Sequence, residues 1–274
     1  MEKSHSSSGT GFGVDIGGSG IKGARVDLET GEFIGDRIRI ATPQPATPEA
    51  VADVVADLLR QAEWEGPVGI TVPAVVTGQT ARTAANIDPS WIGTDCGELF
   101  SARLAAAGVA GDGTAPDFTV LNDADAAGIA EVAFGDPQAT SGSVLLLTFG
   151  TGIGSALLND GELFPNTELG HLLFPAMDAE KWASAAARER EDLSYREWAR
   201  RVDRVLQEYI RILNPTTIIV GGGVSRKFEK WGRHLTVNSD EAGHPAAVTV
   251  VPARLRNKAG IVGAALAVRD GVRP

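Results

Sequence analysis

Two short stretches of the chain combine glycines with hydroxyl side chains, and each one joins two apolar runs. Residues 17–20 read Gly-Gly-Ser-Gly, and residues 150–154 read Gly-Thr-Gly-Ile-Gly. Backbone N–H groups that point outward from such turns form concavities that bind anions. One turn of this kind is most often an ordinary tight turn, but two in one chain predict a pair of turns that bind a polyanionic phosphate.

A dinucleotide-binding interpretation of the first turn fails on its context. Residues 18–23 fit the pattern G-x-G-x-x-G, but that fingerprint requires a helix directly after the turn, because the helix N-terminus holds the pyrophosphate. Residues 21–28 instead alternate with the period of a strand. The first turn is therefore predicted to close a β-hairpin, with Asp15, Ser19 and Lys22 near it.

Two further stretches bring acidic side chains next to amide or imidazole groups. Residues 122–125 read Asn-Asp-Ala-Asp between an apolar strand and a helix, where a single residue suffices as N-cap. A spare carboxylate at the end of a strand can take a proton from a substrate hydroxyl. Glu168 and His171 are separated only by Leu-Gly. Either stretch alone is more often structural than functional.

The apolar pattern predicts an α/β protein that positions these residues at strand ends. Thr47 is predicted to cap the first long helix, with Pro48 at its first position. We predict strands at 12–16, 21–28, 32–40, 67–73, 118–121, 144–148, 155–158, 217–220 and 248–252. We predict further helices at 99–107, 126–134 and 260–269, and one or two helices over about 178–213, stopped by Pro215.

The two halves of the chain open in the same way, with a strand, a glycine turn and a second strand. This similarity predicts two similar α/β lobes with a cleft between them. We expect a small first lobe at 11–121, closed by the C-terminal helix at 260–269, and a larger second lobe at 122–259. Residues 1–10 are polar and rich in serine, so we expect a disordered tail there.

Composition and charge exclude several classes of protein. The 274 residues carry a formal net charge of −10, which argues against a protein that binds nucleic acid through its phosphates. The single cysteine, Cys96, can form neither an internal disulfide nor a Cys-rich zinc site. The stretch between Asp136 and Asp160 lacks charge but is rich in glycine and hydroxyl residues, unlike a transmembrane helix. We expect a soluble, cytoplasmic protein that does not bind membranes.

Five motifs in this chain resemble, in the same order, those of the ROK sugar kinases, which belong to the actin-like (ribonuclease H-like) ATPase superfamily. The motifs are residues 13–19, 122–127, 147–154, 168–171 and 219–223. Each is weak alone, but the ordered set is specific and spans about residues 11 to 269. Residues 84–93 and 15–20 further resemble the polyphosphate glucokinase branch, including its glucomannokinase variant.

The resemblance implies phosphoryl transfer to the 6-hydroxyl of glucose, and of mannose as a further acceptor. Asp123 would be the general base that accepts the proton of this hydroxyl. Asn86, Asn122, Glu168 and His171 would bind the other sugar hydroxyls and so orient the attacking oxygen. Positioning of this kind accounts for most of the catalysis in phosphoryl transfer.

The resemblance also implies how the phosphoryl donor is bound, whether inorganic polyphosphate or ATP. Asp15 would position Mg²⁺ or its water. Gly221, Gly222 and Gly223 would lie near the base and ribose of a nucleotide. The residues expected to line the phosphates are Asp15, Gly17, Gly18, Ser19, Lys22, Thr148, Gly150, Thr151 and Gly152.

The chain departs from the wider family after His171, where many members carry a Cys-rich zinc motif. No cysteine follows Cys96, so we expect no structural zinc and some other means of stabilising this loop. Two alternatives stay open: an ATP-only sugar kinase, and a non-catalytic, sugar-binding regulator of the same family. The regulator is disfavoured because such regulators carry an N-terminal helix-turn-helix domain. In this sequence only a tail of about ten residues precedes the first predicted strand, and the net charge is −10. The resemblance allows a homodimer, since related kinases are often dimers.

A basic segment between Ser225 and Ala259 has two interpretations. It holds three acids, Glu229, Asp240 and Glu241, against seven bases: Arg226, Lys227, Lys230, Arg233, Arg254, Arg256 and Lys258. Such a cluster is often a solvated face. The alternative hypothesis is that it borders the donor site and binds a polyphosphate chain.

Overall fold

The chain folds into two α/β units. The structure, a computed structural model, describes residues 9–85, 87–174, 177–237 and 248–274. Unit 1 contains the described residues up to Ala130 together with Lys258–Pro274, and unit 2 contains those of Glu131–Asn257. The boundary therefore falls inside a helix that follows residue 122, whereas our prediction placed it between 121 and 122. Residues 123–130 of that helix belong with unit 1, where the strand before them and the C-terminal helix also lie.

Unit 1 is built on a five-stranded mixed sheet. Its strands are β1 (Thr10–Gly17), β2 (Gly20–Asp27), β3 (Phe33–Ile40), β4 (Val68–Val72) and β7 (Phe118–Asn122), with β5 (Val76–Thr77) and β6 (Thr80–Ala81) in a separate small hairpin. The order across the sheet is β3-β2-β1-β4-β7. The first three strands are antiparallel neighbours, and β4 and β7 continue the sheet in parallel with β1. Strand rather than helix follows the first glycine turn, as the periodicity of residues 21–28 predicts.

Four helices accompany this sheet: α1 (Pro48–Gln61), α2 (Cys96–Ala106), α3 (Asp123–Phe134), which crosses the boundary, and α8 (Ala259–Arg269). Thr47 caps α1 through its hydroxyl, which accepts a hydrogen bond from the Ala50 N–H at 3.4 Å, and Pro48 is the first helical residue, as predicted. The apolar face of α1 contributes Val51, Val55, Leu58 and Leu59 to a core.

Helix α8 lies against the sheet and α3 at a distance that only glycine permits. A Cβ atom on Gly69 of β4 would lie 1.8 Å from the Ala264 carbonyl oxygen, and one on Gly263 would lie 1.7 Å from that of Ala126. The absence of side chains at these positions brings the helix backbone into direct contact with its neighbours. The C-terminal helix is thus an integral part of unit 1.

Unit 2 repeats the arrangement with a second five-stranded sheet. Its strands are β8 (Ser143–Phe149), β9 (Ile153–Asn159), β10 (Glu162–Phe164), β11 (Thr217–Gly222) and β12 (Thr249–Pro252). The order is β10-β9-β8-β11-β12, with three antiparallel strands followed by two parallel ones. Unit 1 has the same order and directions, which confirms the predicted internal similarity.

The predicted helical region at 178–213 is three helices, not one or two. They are α4 (Ala179–Ala183), α5 (Ala185–Arg190) and α6 (Tyr195–Leu213), and a one-turn helix α7 (Phe228–Trp231) follows β11. Serine caps divide the run: Ser184 caps α5, and Ser194 forms a capping box with Glu197 at the start of α6. Helix α6 ends in a left-handed Asn214 directly before Pro215. Its buried Trp198 contacts Trp231 edge to face in the core of unit 2, with the ring centroids 4.9 Å apart.

Within the described residues, no helix combines the length and apolar character needed to cross a bilayer.

Candidate active site

The first glycine turn connects β1 to β2 and is held by contacts to its carbonyl groups. The register pairs Gly17 with Gly20 across the turn. The Thr42 hydroxyl donates to the Gly17 carbonyl oxygen, and Arg39 donates from Nη2 to that of Ser19 at 2.9 Å. Two carbonyl oxygens of the turn therefore accept hydrogen bonds from side chains, and one of these side chains is the positively charged guanidinium of Arg39. Sequence reasoning missed Arg39, which lies on β3 and reaches the turn only through strand pairing.

Asp15 lies near the end of β1, where residues of three other segments approach its carboxylate. Lys22 Nζ is 3.2 Å from Oδ2, and the Thr71 hydroxyl donates to Oδ1 at 3.3 Å. Gly260, in the first turn of α8, approaches the same carboxylate: a Cβ there would lie 3.4 Å from Oδ1. Carboxylate and hydroxyl oxygens suit Mg²⁺, which commonly binds one or two carboxylates and keeps several waters. The residues present therefore fit the expected ion, while Lys22 contacts Asp15 in this structure.

The junction between β7 and α3 separates the roles of three polar residues. Asn122 is the cap: its Oδ1 accepts from the N–H groups of Ala124 and Asp125 at 2.8 and 3.2 Å, and its Nδ2 donates to the Ala74 carbonyl. Asp125 is fully buried, whereas Asp123 is only partly buried, and its Oδ1 accepts from the Ala124 N–H at 2.9 Å. Asp123 is thus the carboxylate of this motif that solvent can reach.

Asn86, the remaining candidate of unit 1, lies outside the described residues. Its neighbours Ala85 and Ile87 line a pocket of about 280 Å³ together with Gly18 and Gln44. The loop that carries Asn86 therefore borders the same space as the first glycine turn.

The second glycine turn connects β8 to β9, and it lies beside the glycines that end β11. The parallel register places Gly221 opposite Thr148 and Gly222 opposite Phe149. A Cβ on Gly222, whose φ is 80°, would lie 2.2 Å from the Phe149 carbonyl oxygen, so only glycine fits there. The sheet register thus brings together two motifs that are about 70 residues apart in the chain.

These two motifs border a pocket of about 390 Å³, which we call the Arg188 pocket. Among its lining residues are Gly150, Thr151, Arg188, Tyr195, Gly223 and Lys227. The predicted phosphate-binding residues Gly150 and Thr151 and the predicted nucleotide-binding residue Gly223 therefore share one concave surface. Sequence reasoning missed Arg188 and Tyr195, because the helical pattern of 178–213 carried no signal that these positions face the second turn.

Three bases of the basic segment have different contacts. Lys227 lines the Arg188 pocket, whereas Arg254 pairs with Asp136 at 3.1 Å. Lys258 pairs with Glu32, and both of these residues belong to unit 1. Asp240 and Glu241 lie outside the described residues. Lys227 is therefore the member of this segment that the structure connects to the second glycine turn.

His171 is surrounded by three carboxylates of unit 2. Its Nδ1 lies 3.3 Å from Asp178 Oδ2 and 3.8 Å from Glu180 Oε1, and its Nε2 lies 3.5 Å from Glu168 Oε2. Because both groups that face Nδ1 are acceptors, we assign a proton to that nitrogen. Glu180 Oε2 in turn accepts from the N–H of Ile153, at the start of β9. This cluster ties Glu168 and His171 to the strand that follows the second glycine turn.

Two of these acids, Glu168 and Asp178, have shifted pKa values. Glu168 leaves 36% of its side chain exposed, and partial loss of solvent raises the pKa of its carboxyl, although His171 opposes this shift. Hydrogen bonds from Lys181 and His171 lower the pKa of Asp178. Asp178 thus stays ionised over a wider pH range than an unpartnered carboxyl.

The loop after His171 is closed by contacts between residues on either side of it. The Ala179 N–H donates to the Leu172 carbonyl at 2.8 Å, and Leu173 forms a β-bridge with Asp178. The rings of Phe174 and Trp182 stack at 4.9 Å. These contacts are the means of stabilisation that the sequence left unspecified for this loop.

Comparison with known proteins identifies the family. Residues 11–186 match the ROK family. The chain is 49% identical over 257 residues to the polyphosphate glucokinase of Mycobacterium tuberculosis (strain CDC 1551 / Oshkosh), which covers 94% of this chain and 90% of that relative.

Two solved structures extend the comparison to the fold. The inorganic polyphosphate/ATP-glucomannokinase of Arthrobacter sp. strain KM superposes with a TM-score of 0.85 at 41% identity, covering 96% of this chain and 100% of that chain. A ROK family glucokinase from Streptomyces griseus, in complex with glucose and AMPPNP, gives a TM-score of 0.77 at 26% identity, with coverage of 96% and 100%. The predicted actin-like class is confirmed, and the chain belongs to the ROK family.

Proposed function

We propose that this chain is a glucokinase that transfers a phosphoryl group from inorganic polyphosphate or ATP to the 6-hydroxyl of glucose. The observation that carries this function is the 49% identity, over 94% of the chain, to a polyphosphate glucokinase. The likeness to a polyphosphate/ATP-glucomannokinase at 41% identity supports both donors. It also supports mannose as a second acceptor, because that relative is named for both sugars.

In the proposed mechanism, Asp123 accepts the proton of the sugar 6-hydroxyl as its oxygen bonds to the terminal phosphorus. The bond from that phosphorus to the rest of the donor breaks, and the leaving group is ADP or a polyphosphate shorter by one unit. Support for Asp123 comes from its partial burial at the start of α3, since the neighbouring Asp125 is fully buried. A carboxylate in hydrogen-bond reach of a hydroxyl is a competent general base.

The other sugar hydroxyls are assigned to four polar residues. We assign Glu168 and His171 to this task, together with Asn86 and Asn122. The hydrogen bonds of Asn122 to Ala74, Ala124 and Asp125 leave it one N–H for a ligand. Its main contribution is therefore to hold the β7–α3 junction, and thus Asp123, in place.

The donor phosphates are assigned to the two glycine turns, with Gly17, Gly18 and Ser19 in one and Thr148, Gly150, Thr151 and Gly152 in the other. Asp15 is the residue proposed to hold Mg²⁺, which supplies neutralisation of phosphate charge when it is bound. Lys22 would keep Asp15 oriented or contact phosphate itself. Gly221, Gly222 and Gly223 border the space in which the remainder of the donor lies.

The cellular setting and assembly form part of the same proposal. We place the protein in the cytoplasm, where ATP is available as a donor. We propose a homodimer on the ground that related kinases are often dimers, and light scattering on the purified protein tests this assembly.

Steady-state kinetics test the function directly. Glucose and mannose are each assayed with ATP and with polyphosphate, and hexose 6-phosphate is measured in a coupled reaction with and without Mg²⁺. We expect Mg²⁺-dependent turnover of glucose with both donors. Turnover with ATP alone would identify an ATP-only kinase, and sugar binding without turnover would identify a regulator.

A further inference from the structure

The short segment that carries Glu168 is held in place by hydroxyl groups of other elements. Its helical turn spans Leu169–His171, and Glu168 occupies the N-cap position without a capping hydrogen bond from its side chain. N–H groups at the start of such a turn have no partner within it, so they need acceptors from elsewhere. Two buried side chains of unit 2, Ser155 on β9 and Tyr209 on α6, bond to this segment.

Ser155 binds the backbone on both sides of Glu168. Its hydroxyl donates to the Thr167 carbonyl oxygen at 2.8 Å and accepts from the Leu169 N–H at 3.1 Å. The Thr167 hydroxyl in turn donates to the Ser155 carbonyl oxygen at 2.9 Å. Ser155 is only 1% exposed, so these bonds form away from solvent. The peptide groups before and after Glu168 are therefore both fixed to β9.

Tyr209 holds the second peptide group of Leu169. Its fully buried hydroxyl donates to the Leu169 carbonyl oxygen at 2.7 Å. Burial, together with the charge of Glu180, raises the pKa of the Tyr209 phenol, so this group stays protonated and remains a donor. The residue directly after Glu168 is thus bound at its N–H by β9 and at its carbonyl by α6.

Gly170 brings the same segment into direct contact with β9. A Cβ at this position would lie 2.2 Å from the Ile153 carbonyl oxygen, so the two backbones pack with no side chain between them. The strand backbone blocks movement of the segment in one direction, and the two hydroxyls oppose movement in the other. Binding groups perform best when surrounding contacts lock their positions in this way.

From this arrangement we propose that Ser155 and Tyr209 are positioning residues, which hold Glu168 where its carboxylate can bind a sugar hydroxyl. The backbone of Glu168 is fixed, while 36% of its side chain is exposed and available to a ligand. Hydrogen bonds weaken steeply when their angles are poor, and a carboxylate held in place loses less freedom on binding. This inference rests on the proposed function, in which Glu168 binds the sugar.

The first test removes each hydroxyl in the full chain. Tyr209→Phe keeps the ring in the core, and the Leu169 carbonyl retains the Leu172 N–H as a partner at 3.0 Å. We expect this variant to raise the KM for glucose by roughly three- to tenfold, the worth of one hydrogen bond, with less than about a twofold change in kcat and in the KM for ATP.

Variants of Ser155 test the second hydroxyl. Ser155→Ala loses two hydrogen bonds and should raise the KM for glucose at least as much as Tyr209→Phe does. Ser155→Cys keeps a weak donor and acceptor, so it should retain more of the affinity than the alanine variant. Tyr209→Phe decides the test by itself where Ser155→Ala does not fold.

Thr217→Val is the matched control, because it removes another buried hydroxyl from unit 2. The Thr217 hydroxyl donates to Gln138 Oε1 at 3.2 Å, at the start of β11. This variant should leave the KM values for glucose and ATP unchanged. Urea unfolding of all variants shows whether a comparable loss of stability accompanies the different effects on glucose.

A double-variant cycle separates positioning from general damage. Calorimetry without a donor should show weaker glucose binding for Tyr209→Phe in the wild-type background. The same change should have no further effect where Glu168→Ala has already removed the carboxylate, because Tyr209 acts through Glu168. Equal fold-changes in the two backgrounds would overturn the inference.

Two kinetic results would also overturn it: unchanged KM values for glucose in the variants of both hydroxyls, or equal losses for glucose and ATP. Each of these results leaves the kinase assignment intact. Failure of the wild-type protein to phosphorylate glucose with any donor would instead contradict the proposed function, while the calorimetric affinities for glucose would still test the positioning.

Discussion

The imidazole of His171 is hydrogen-bonded to Asp178, with 3.3 Å between Nδ1 and Oδ2. The two residues are seven positions apart in the chain, and the loop between them is closed by the bridge of Leu173 to Asp178. A carboxylate on one ring nitrogen sets the orientation of the ring and which nitrogen carries the proton. Nε2 is thereby left to face Glu168 and a ligand.

Loss of this carboxylate should therefore weaken sugar binding. We expect Asp178→Ala to raise the KM for glucose about tenfold, the worth of one hydrogen bond to a charged group, with a smaller change in kcat. Asp178→Asn keeps an acceptor for Nδ1 and should retain more of the affinity. The measurement is steady-state kinetics at varied glucose and saturating ATP.

Lys181 provides the matched control for Asp178, because its Nζ pairs with Asp178 Oδ2 at 3.2 Å while its own side chain is 65% exposed. Lys181→Met removes that ion pair without touching His171, and its KM for glucose should match the wild type. A tenfold effect from Lys181→Met, or none from Asp178→Ala, would show that Asp178 does not act through His171.

Asp123 offers a direct test of the proposed general base. Asp123→Asn is nearly isosteric and should lower kcat by about 10² to 10⁴, because an amide cannot accept the hydroxyl proton in the way a carboxylate does. Glucose binding, measured by calorimetry, should stay within a few-fold of the wild type. The control is Asp117→Asn, an exposed acid next to the start of β7. If Asp123→Asn kept about a third of normal turnover, this assignment would be wrong.

The pKa of Glu168 predicts a pH-dependent gain in stability on its removal. Because partial burial raises this pKa in the folded chain, the folded state binds more protons than the unfolded state, and stability falls as pH rises above the unfolded value. Glu168→Gln removes the free-energy cost of ionising a partly buried carboxyl in the folded state. We expect its urea midpoint, relative to the wild type, to be higher at pH 7 than at pH 4.

The exposed Glu162 of β10 serves as control for Glu168, since Glu162→Gln removes one charge from the same unit. Its effect on the midpoint should not change between the two pH values. The Glu168→Gln variant should also bind glucose more weakly, so this position would exchange stability for function. A pH-independent difference for Glu168→Gln would contradict the burial argument.

Gly69 tests the contact between the sheet of unit 1 and α8. A Cβ there would lie 1.8 Å from the Ala264 carbonyl oxygen, so Gly69→Ala must displace the helix backbone. We expect a loss of about 3 kcal/mol in the free energy of unfolding, at the upper end for overpacking. Urea unfolding measures it. Gly150→Ala is the stability control, since a Cβ there meets nothing within 4 Å; equal stability losses would refute the packing argument.

The sequence by itself determined the two hairpins, the α1 cap and the family. These features depend on neighbours in the chain: strand periodicity shows within eight residues, and Thr47 caps a helix that starts at the next residue. Four of the five ordered motifs contain the end of a strand and the residues directly after it, so each can be recognised in the linear sequence. Local patterns of this kind need no knowledge of packing.

The tertiary structure decided which polar groups in those motifs are available for chemistry. Asp125 became buried and Asp123 stayed partly exposed, and this outcome depends on how β7 and α3 pack rather than on the motif. The register between β8 and β11 placed Gly222 beside Phe149, and the packing of α5 placed Arg188 in the pocket beside the second turn. Contacts between segments far apart in sequence form only when parallel strands align, so no local pattern could have indicated them.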